Sequence, residues 1–430
     1  MGTVLVASMP FAGHVHPVAA IAGELVRRGH DVLAYTGAKY AERFEAVGAR
    51  PWLWHSAPDF DDLAIGETFP SIGDGRGLRA ILGNIRDLFI GTAAAQAHDV
   101  AGLAKAARPD AVVADCLCLG PGLWAQREGV PWAGISLVPL SAHNPWGPPP
   151  GAPLLPARGG AAAVRNRALA AALAAGPGRA MRALVNRQRA RAGLGPTPRP
   201  GLDSVYSELL TIAQGIPELE YPRPEPVPGV ELIGQLVPPS AGALPEWWGQ
   251  WPADAPVVHV TQGTFNVDPS ELLRPALAGL TDGAAAAIGR RPAVVLATGG
   301  GKGFGDPGGL PRGAFAADFL PYARILKDVS AVVSNGGYGT VLAALGAGVP
   351  LVIAGAAIDK PDIARRVAWA GIDLKTGRPS PVQVRDAVAR VLGDPAYRRR
   401  ARELAASIRA AGGTARAVDL VDERLLNAGT

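Results

Sequence analysis

Cysteine is scarce in this chain of 430 residues: there are two, Cys116 and Cys118. They stand two apart in Asp-Cys-Leu-Cys, a spacing that fits neither a zinc knuckle nor a Cys-x-x-Cys redox pair. Two thiols also make no disulfide framework, so they read as small buried hydrophobes near a strand end, in a reducing cytoplasm. Charged residues make up 18% of the chain. Even so, no run of about 18 apolar residues is unbroken, and a membrane-spanning helix is not expected. Met1-Gly2-Thr3 passes directly into the apolar Val4-Leu5-Val6-Ala7 without a charged leader, so no signal peptide is expected either. A long basic block interleaved with aromatics is missing too. The net charge of +5 comes largely from arginines scattered among acids, as in Glu24 with Arg27 and Arg28. Nucleic acid is therefore not an expected partner, and a mildly positive surface suits an anionic small molecule better. The first strand–helix loop also lacks Gly-x-Gly-x-x-Gly, which removes the main support for a nicotinamide or flavin site.

What is present is a repeated α/β pattern. Hydrophobic residues make up 48% of the sequence, enough for two well-filled cores in a chain of this length. A strand at residues 3–8 leads through a glycine-containing loop to a helix over about 16–28, where Val18, Ile21, Ala22 and Leu25 share one face. A strand at 31–35, a helix at about 38–47 and a strand at 50–54 complete a β-α-β-α-β run, the mark of a parallel, doubly wound sheet. Helical character is expected over about 77–107 and 161–192, with strands at 111–114 and 132–137. Residues 138–160, rich in Pro and Gly, read as a loop. A second α/β half has strands at 257–261, 293–298, 331–334 and 351–353, and helices at about 269–289, 396–411 and 414–427. The expected organisation is a first domain over 1–235, a linker over 236–256 and a second domain over 257–413. Two doubly wound domains place their ligands at the carboxyl ends of the strands, in a cleft where the two face each other.

Several residues stand at such strand ends. His14, in Pro10-Phe11-Ala12-Gly13-His14-Val15-His16-Pro17, can accept a proton near neutral pH, with His16 as a neighbour. Asp115, ending the strand 111–114, can fix the tautomer of an imidazole and balance its charge. The competing reading of Asp115 is a helix N-cap. Ser334-Asn335-Gly336-Gly337-Tyr338-Gly339-Thr340 follows a strand and opens a helix, the arrangement that brings backbone N–H groups to a diphosphate. Asp359 and Lys360 lie on a later loop. Trp54, Phe60, Phe69, Phe89 and Trp146 supply aromatic surface in the irregular parts of the first half, as an apolar acceptor pocket requires.

These motifs together resemble the family-1 glycosyltransferases of the GT-B fold, and more narrowly the bacterial enzymes that glycosylate macrolides, rifamycins and similar natural products. Gly13-His14-Val15-x-Pro17 matches that family's catalytic-base loop, and Ala114-Asp115 its Asp partner. Asn335 to Leu345, with Gly348-Val349-Pro350 and Asp359, matches its donor signature. The resemblance implies a nucleotide-sugar co-substrate, UDP- or dTDP-linked and foremost UDP-glucose, with no metal and no cofactor. His14 would deprotonate an acceptor hydroxyl that inverts the anomeric carbon, while Asp115 balances the charge. Gly336, Gly337, Gly339 and Thr340 would cradle the diphosphate, Asp359 would hold sugar hydroxyls, Phe319 would stack on the base, and Thr264 would face a phosphate. The first domain would bind the acceptor, the second the donor, and the helix at about 414–430 would pack back on the first. The expected assembly is a monomer or a homodimer. Three positions depart from the family: Asn335 where His is usual, Ala343 where an acid meets the ribose, and Lys360 where Gln is common. Asn335 and Ala343 support an alternative, a catalytically silent binding or helper protein that has lost its donor site.

Overall fold

The computed structural model describes all residues except 71, 73–82, 151, 153, 158, 198, 200–202, 204, 238–241, 264–267, 282–286, 299–309, 356–358, 369–370 and 428–430. The chain divides into two compact units. The first joins Met1–Pro150 and Leu154–Pro239 to the C-terminal Ala411–Thr430, and the second centres on Ser240–Ala410.

In the first unit seven parallel strands form one sheet: β1 (Thr3–Ala7), β2 (Asp31–Thr36), β3 (Arg50–Leu53), β4 (Ala111–Asp115), β5 (Trp132–Ser136), β6 (Leu210–Ala213) and β7 (Val230–Leu232). Their order is β3-β2-β1-β4-β5-β6-β7. The chain thus winds outward from β1 in one direction and from β4 in the other, and the reversal between them is a topological switch point. In register, Ala7 lies beside Ala114. Helices α1 (Ala12–Arg27), α2 (Ala93–Ala107) and α3 (Leu119–Glu128) cover the sheet. Strands buried on both faces need unbroken apolar runs, which is why β1 and β4 are so rich in Val, Leu and Ala.

Beyond β5 the chain forms α4 (Gly160–Leu173), a wide helical turn at Ala174–Gly178 containing Pro177, and α5 (Arg179–Arg191). Between Gly129 and Leu202 stand nine arginines and no Asp, Glu or Lys. Arg165, Arg167, Arg179, Arg182, Arg187 and Arg191 are exposed, and no ion pair is seen for them among the described residues.

The second unit repeats the winding with six parallel strands: β8 (Val257–Thr261), β9 (Ala293–Ala297), β10 (Ala314–Ala317), β11 (Ala331–Ser334), β12 (Leu351–Ile353) and β13 (Gly371–Asp373). The order β10-β9-β8-β11-β12-β13 puts its switch point between β8 and β11. Helix α6 (Leu273–Thr281) follows β8, α7 (Tyr338–Gly346) follows β11, and α8 (Lys360–Arg366), α9 (Pro381–Gly393) and α10 (Pro395–Ala410) complete the unit. The change of unit falls at Pro239/Ser240, near the start of the 236–256 segment read as a linker. Trp247, Trp248 and Trp251 anchor that segment by packing around one another and Phe315 of β10. The last helix, α11 (Gly413–Val421), packs on α1 in the first unit. Among the described residues no helix is long and apolar enough to cross a membrane.

Candidate active site

Residues 8–15 leave β1, turn, and enter α1. The turn is held by Phe11 N–H donating to the Met9 carbonyl (2.8 Å) and by His14 and Val15 N–H donating to the Phe11 carbonyl (2.9 and 2.8 Å). His14 thus sits in the first turn of α1, above the switch point. Asp115 stands at the end of β4 across that point, and its Oδ2 lies 2.6 Å from His14 Nδ1. The carboxylate is 1% exposed and the imidazole 17%. Asp115 also receives Met9 N–H (3.3 Å) and Leu117 N–H (3.0 Å). It is not the N-cap of α3, whose cap position is Cys118 and has no side-chain capping bond. A carboxylate held at Nδ1 keeps the proton there and makes Nε2 the basic nitrogen.

Aromatic rings surround the pair. Phe11 and Phe89 lie 5.6 and 6.5 Å from the His14 ring, centre to centre. Behind them Phe60 meets Phe11 (5.1 Å), Trp54 (6.0 Å) and Phe69 (5.6 Å). Trp54, Phe60 and Phe69 are only 5, 5 and 9% exposed. They therefore act as backing for Phe11 and Phe89 and offer little surface themselves. Phe89 is half-buried beside the histidine, and Trp146 lies apart in the loop after β5. A small, mostly apolar cavity adjoins Asp115 between α3 and α5, lined by Cys116, Cys118, Leu123, Trp132 and Val185. Both thiols are buried, and burial, reinforced by the Asp115 charge, pushes them well above the usual thiol range.

Sequence reasoning missed a second buried carboxylate. Asp62 Oδ2 accepts Ala12 N–H (3.3 Å) and the Tyr40 hydroxyl (2.7 Å), and its Oδ1 takes the Lys39 ammonium (2.5 Å). Asp99 of α2 was missed as well; it accepts the N–H groups of His55, Ser56 and Ala57 and the Tyr35 hydroxyl. Burial pushes the Asp99 carboxyl up, but these four bonds outweigh it and hold the group below the usual range.

The switch point of the second unit is built in parallel fashion. Asn335 follows β11 as Asp115 ends β4. Its Nδ2 donates to the Gln262 carbonyl after β8, and its Oδ1 accepts Gly337 N–H (3.2 Å). Gly336 N–H turns back to Ser334 Oγ (3.0 Å). Two of the amides read as diphosphate ligands are thus used within the loop itself. Gly336 has φ +89, and a Cβ there would come within 2.9 Å of Ile353, so only glycine fits. Gly339, by contrast, is exposed, and a Cβ on it would meet nothing within 4 Å. The first turn of α7 therefore opens to solvent. Thr340 Oγ1 lies 3.3 Å from the Tyr322 hydroxyl. Phe319 stands out at 61% exposure. Asp359 is the N-cap residue of α8, and Lys360 Nζ lies 4.0 Å from its carboxylate. Ala343 is buried in α7. Thr264 lies outside the described residues. No group of three or more His, Cys, Asp and Glu suited to a metal ion is found among the described residues.

Comparison with known proteins places this architecture. Residues 292–420 match the family model "Erythromycin biosynthesis protein CIII-like, C-terminal domain". The 4'-demethylrebeccamycin synthase of Lentzea aerocolonigenes is 34% identical over 97% of this chain and 98% of its own length. UDP-glycosyltransferase 2 of Phaeomoniella chlamydospora is 30% identical over 98% of this chain and 95% of its own. Among solved structures, the calicheamicin glycosyltransferase CalG4 shares the fold over 100% of both chains, with a TM-score of 0.71 at 24% identity. Two parallel doubly wound sheets, the two full-length relatives and the shared fold lead to one conclusion: the chain belongs to the family-1 natural-product glycosyltransferases of the GT-B fold, and it is a glycosyltransferase.

Proposed function

We propose that this glycosyltransferase moves a hexose from UDP-glucose to a hydroxyl of a small hydrophobic natural product or antibiotic, with inversion and without a metal. His14 Nε2 takes the proton of the acceptor hydroxyl. The oxygen attacks the anomeric carbon in line, the bond from that carbon to the diphosphate oxygen breaks, and UDP departs. Asp115 stabilises the imidazolium that forms. The observation carrying this reading is the 2.6 Å His14–Asp115 pair at the switch point of the first unit, with the aromatic rings of Phe11 and Phe89 beside it. UDP is favoured over dTDP by the name of the fungal relative, a natural-product acceptor by the name of the rebeccamycin relative, and a hydrophobic one by the rings beside His14. In the donor half, the solvent-facing first turn of α7 and the exposed Phe319 suit a diphosphate and a stacked base. Gly337, Asn335 and Gly336 shape that loop, while Gly339, Thr340, Asp359 and Lys360 meet the donor. Against the silent-protein alternative stand the two full-length relatives with enzyme names, and the assembled histidine pair supports an active site.

The test is transfer from UDP-glucose and dTDP-glucose to a panel of polycyclic phenols and macrolides, with the anomeric configuration of the product read by NMR. A β-glucoside formed from UDP-glucose is expected. His14→Ala should lower kcat about 100- to 10,000-fold, with UDP-glucose binding unchanged by calorimetry. Near-full turnover in that variant removes His14 from the mechanism.

A further inference from the structure

The first turn of α1 carries the proposed base but lacks a side-chain cap of its own. Its N-cap residue is Phe11, which has no side chain that can accept a bond. Pro17 stands inside the helix. It has no N–H to return to the Gly13 carbonyl, so one rung of the ladder is absent just where His14 sits. Beyond the bonds to the Phe11 carbonyl, two side chains from elsewhere in the chain fix this turn. Asp115 takes Met9 N–H below the turn, and Asp62 takes Ala12 N–H, the first of the helix.

We infer that Asp62 is a positioning residue for His14: its carboxylate replaces the missing N-cap of α1 and keeps the imidazole in register with Asp115. The inference rests on His14 being the base. Three observations carry it. The Asp62 side chain is 3% exposed, so its bonds face no competition from water. It is itself fixed, with the Tyr40 hydroxyl on one oxygen and the Lys39 ammonium on the other. The Lys39 ammonium is its ion-pair partner, and a carboxylate suits a helix N-terminus. Lastly, the loop that bears Asp62 grips the turn a second time, through Phe60 against Phe11 (5.1 Å). That loop is moored in turn by Asp59, which accepts Ala38 N–H (2.8 Å). A 2.6 Å bond between His14 and Asp115 tolerates little drift. A displacement of about 1 Å in a catalytic group can cost 100-fold in rate.

The experiment is steady-state kinetics on the full chain, with whichever of UDP-glucose or dTDP-glucose supports turnover, normalised to folded protein. Asp62→Ala is expected to lower kcat about 10- to 100-fold while the donor KM stays within about twofold. Asp62→Asn keeps an oxygen for Ala12 and Tyr40, and should recover most of that loss. Asp61→Ala, which removes the exposed neighbour that also touches Lys39, should leave kcat unchanged. If Asp62→Ala does not fold, Asp62→Glu takes its place. It keeps the charge, shifts the carboxylate by one methylene, and should show the same fall in kcat at constant donor KM. Wild-type kcat in Asp62→Ala or Asp62→Glu, or an Asn variant as slow as the Ala variant, overturns the inference. His14→Ala measured alongside separates the two readings. Turnover surviving there overturns the base assignment, whereas its loss together with wild-type kcat at position 62 overturns only the positioning role.

Discussion

His259 sits in the middle of β8, fully buried, with Nδ1 3.1 Å from the Val295 carbonyl and the Tyr322 ring edge-on at 5.6 Å. Burial pulls its pKa from 6.5 down to about 4, with the Val295 carbonyl pulling the other way. A histidine lowered on folding binds its proton more readily in the unfolded chain. Its contribution to stability is therefore whole above pH 6.5 and drains away as the pH falls toward 4. By linkage this amounts to about 2 kcal/mol at pH 5. Urea unfolding of the second unit at pH 7 and pH 5 should show that loss in the wild type and a much smaller one in His259→Phe; equal losses would place the slope on other groups. Nothing in the sequence distinguished this histidine from a ligand or a surface residue, because its state depends on strands 36 and 73 residues away. His14 and Asp115 were legible for the opposite reason. Asp115 ends one recognisable strand, His14 opens the helix that follows another, and the winding of the sheet brings the two places together. Asp62 and Asp99 could not be read, since their partners lie across the fold and an acid in an aperiodic loop looks like any solvated one.

Elements show the same division. The long apolar runs of β1, β4, β8 and β11 declared themselves, whereas β6, β7, β10 and β13 passed unseen. Val230-Glu231-Leu232 has three residues and no fully buried side chain, and becomes a strand only through its pairing with β6. The reading of helix over about 77–107 falls partly outside the described residues, which show helical structure at Ile85–Ile90 and in α2. Packing between α2 and α3 was hidden as well. A Cβ on Gly120 of α3 would come within 2.2 Å of Gln96 Cβ and 2.6 Å of the Ala97 backbone nitrogen. The two helices touch backbone to backbone, and Gln96 Oε1 accepts Gly120 N–H there (2.9 Å). Gly120→Ala is expected to lower stability by about 1–3 kcal/mol, measured by chemical unfolding. A variant as stable as the wild type would show that the helices can part freely. Gly393→Ala serves as the control, since a Cβ there meets nothing within 4 Å.

For the molecule as a whole, charge is distributed less evenly than the net value of +5 suggests. The exposed arginines of α4 and α5 have no acids among them, while Arg27, Arg50, Arg385 and Arg400 each pair with a carboxylate. Replacing Arg165, Arg167, Arg179 and Arg182 by Gln should therefore advance elution from a cation exchanger more than the same change at those four paired positions. Equal shifts would mean that only the net charge matters. The first unit has a further property of this kind, since its core is assembled from distant parts of the chain. Ala417, Val418, Leu420 and Val421 of α11 are fully buried in the same cluster as Val18, Ile21 and Leu25 of α1. The whole of Ser240–Ala410 lies between those two contributions. On a ribosome, then, the unit that begins first must finish last. Until residues 413–421 emerge, its α1 face stays open, although every other strand and helix of that unit has long been made.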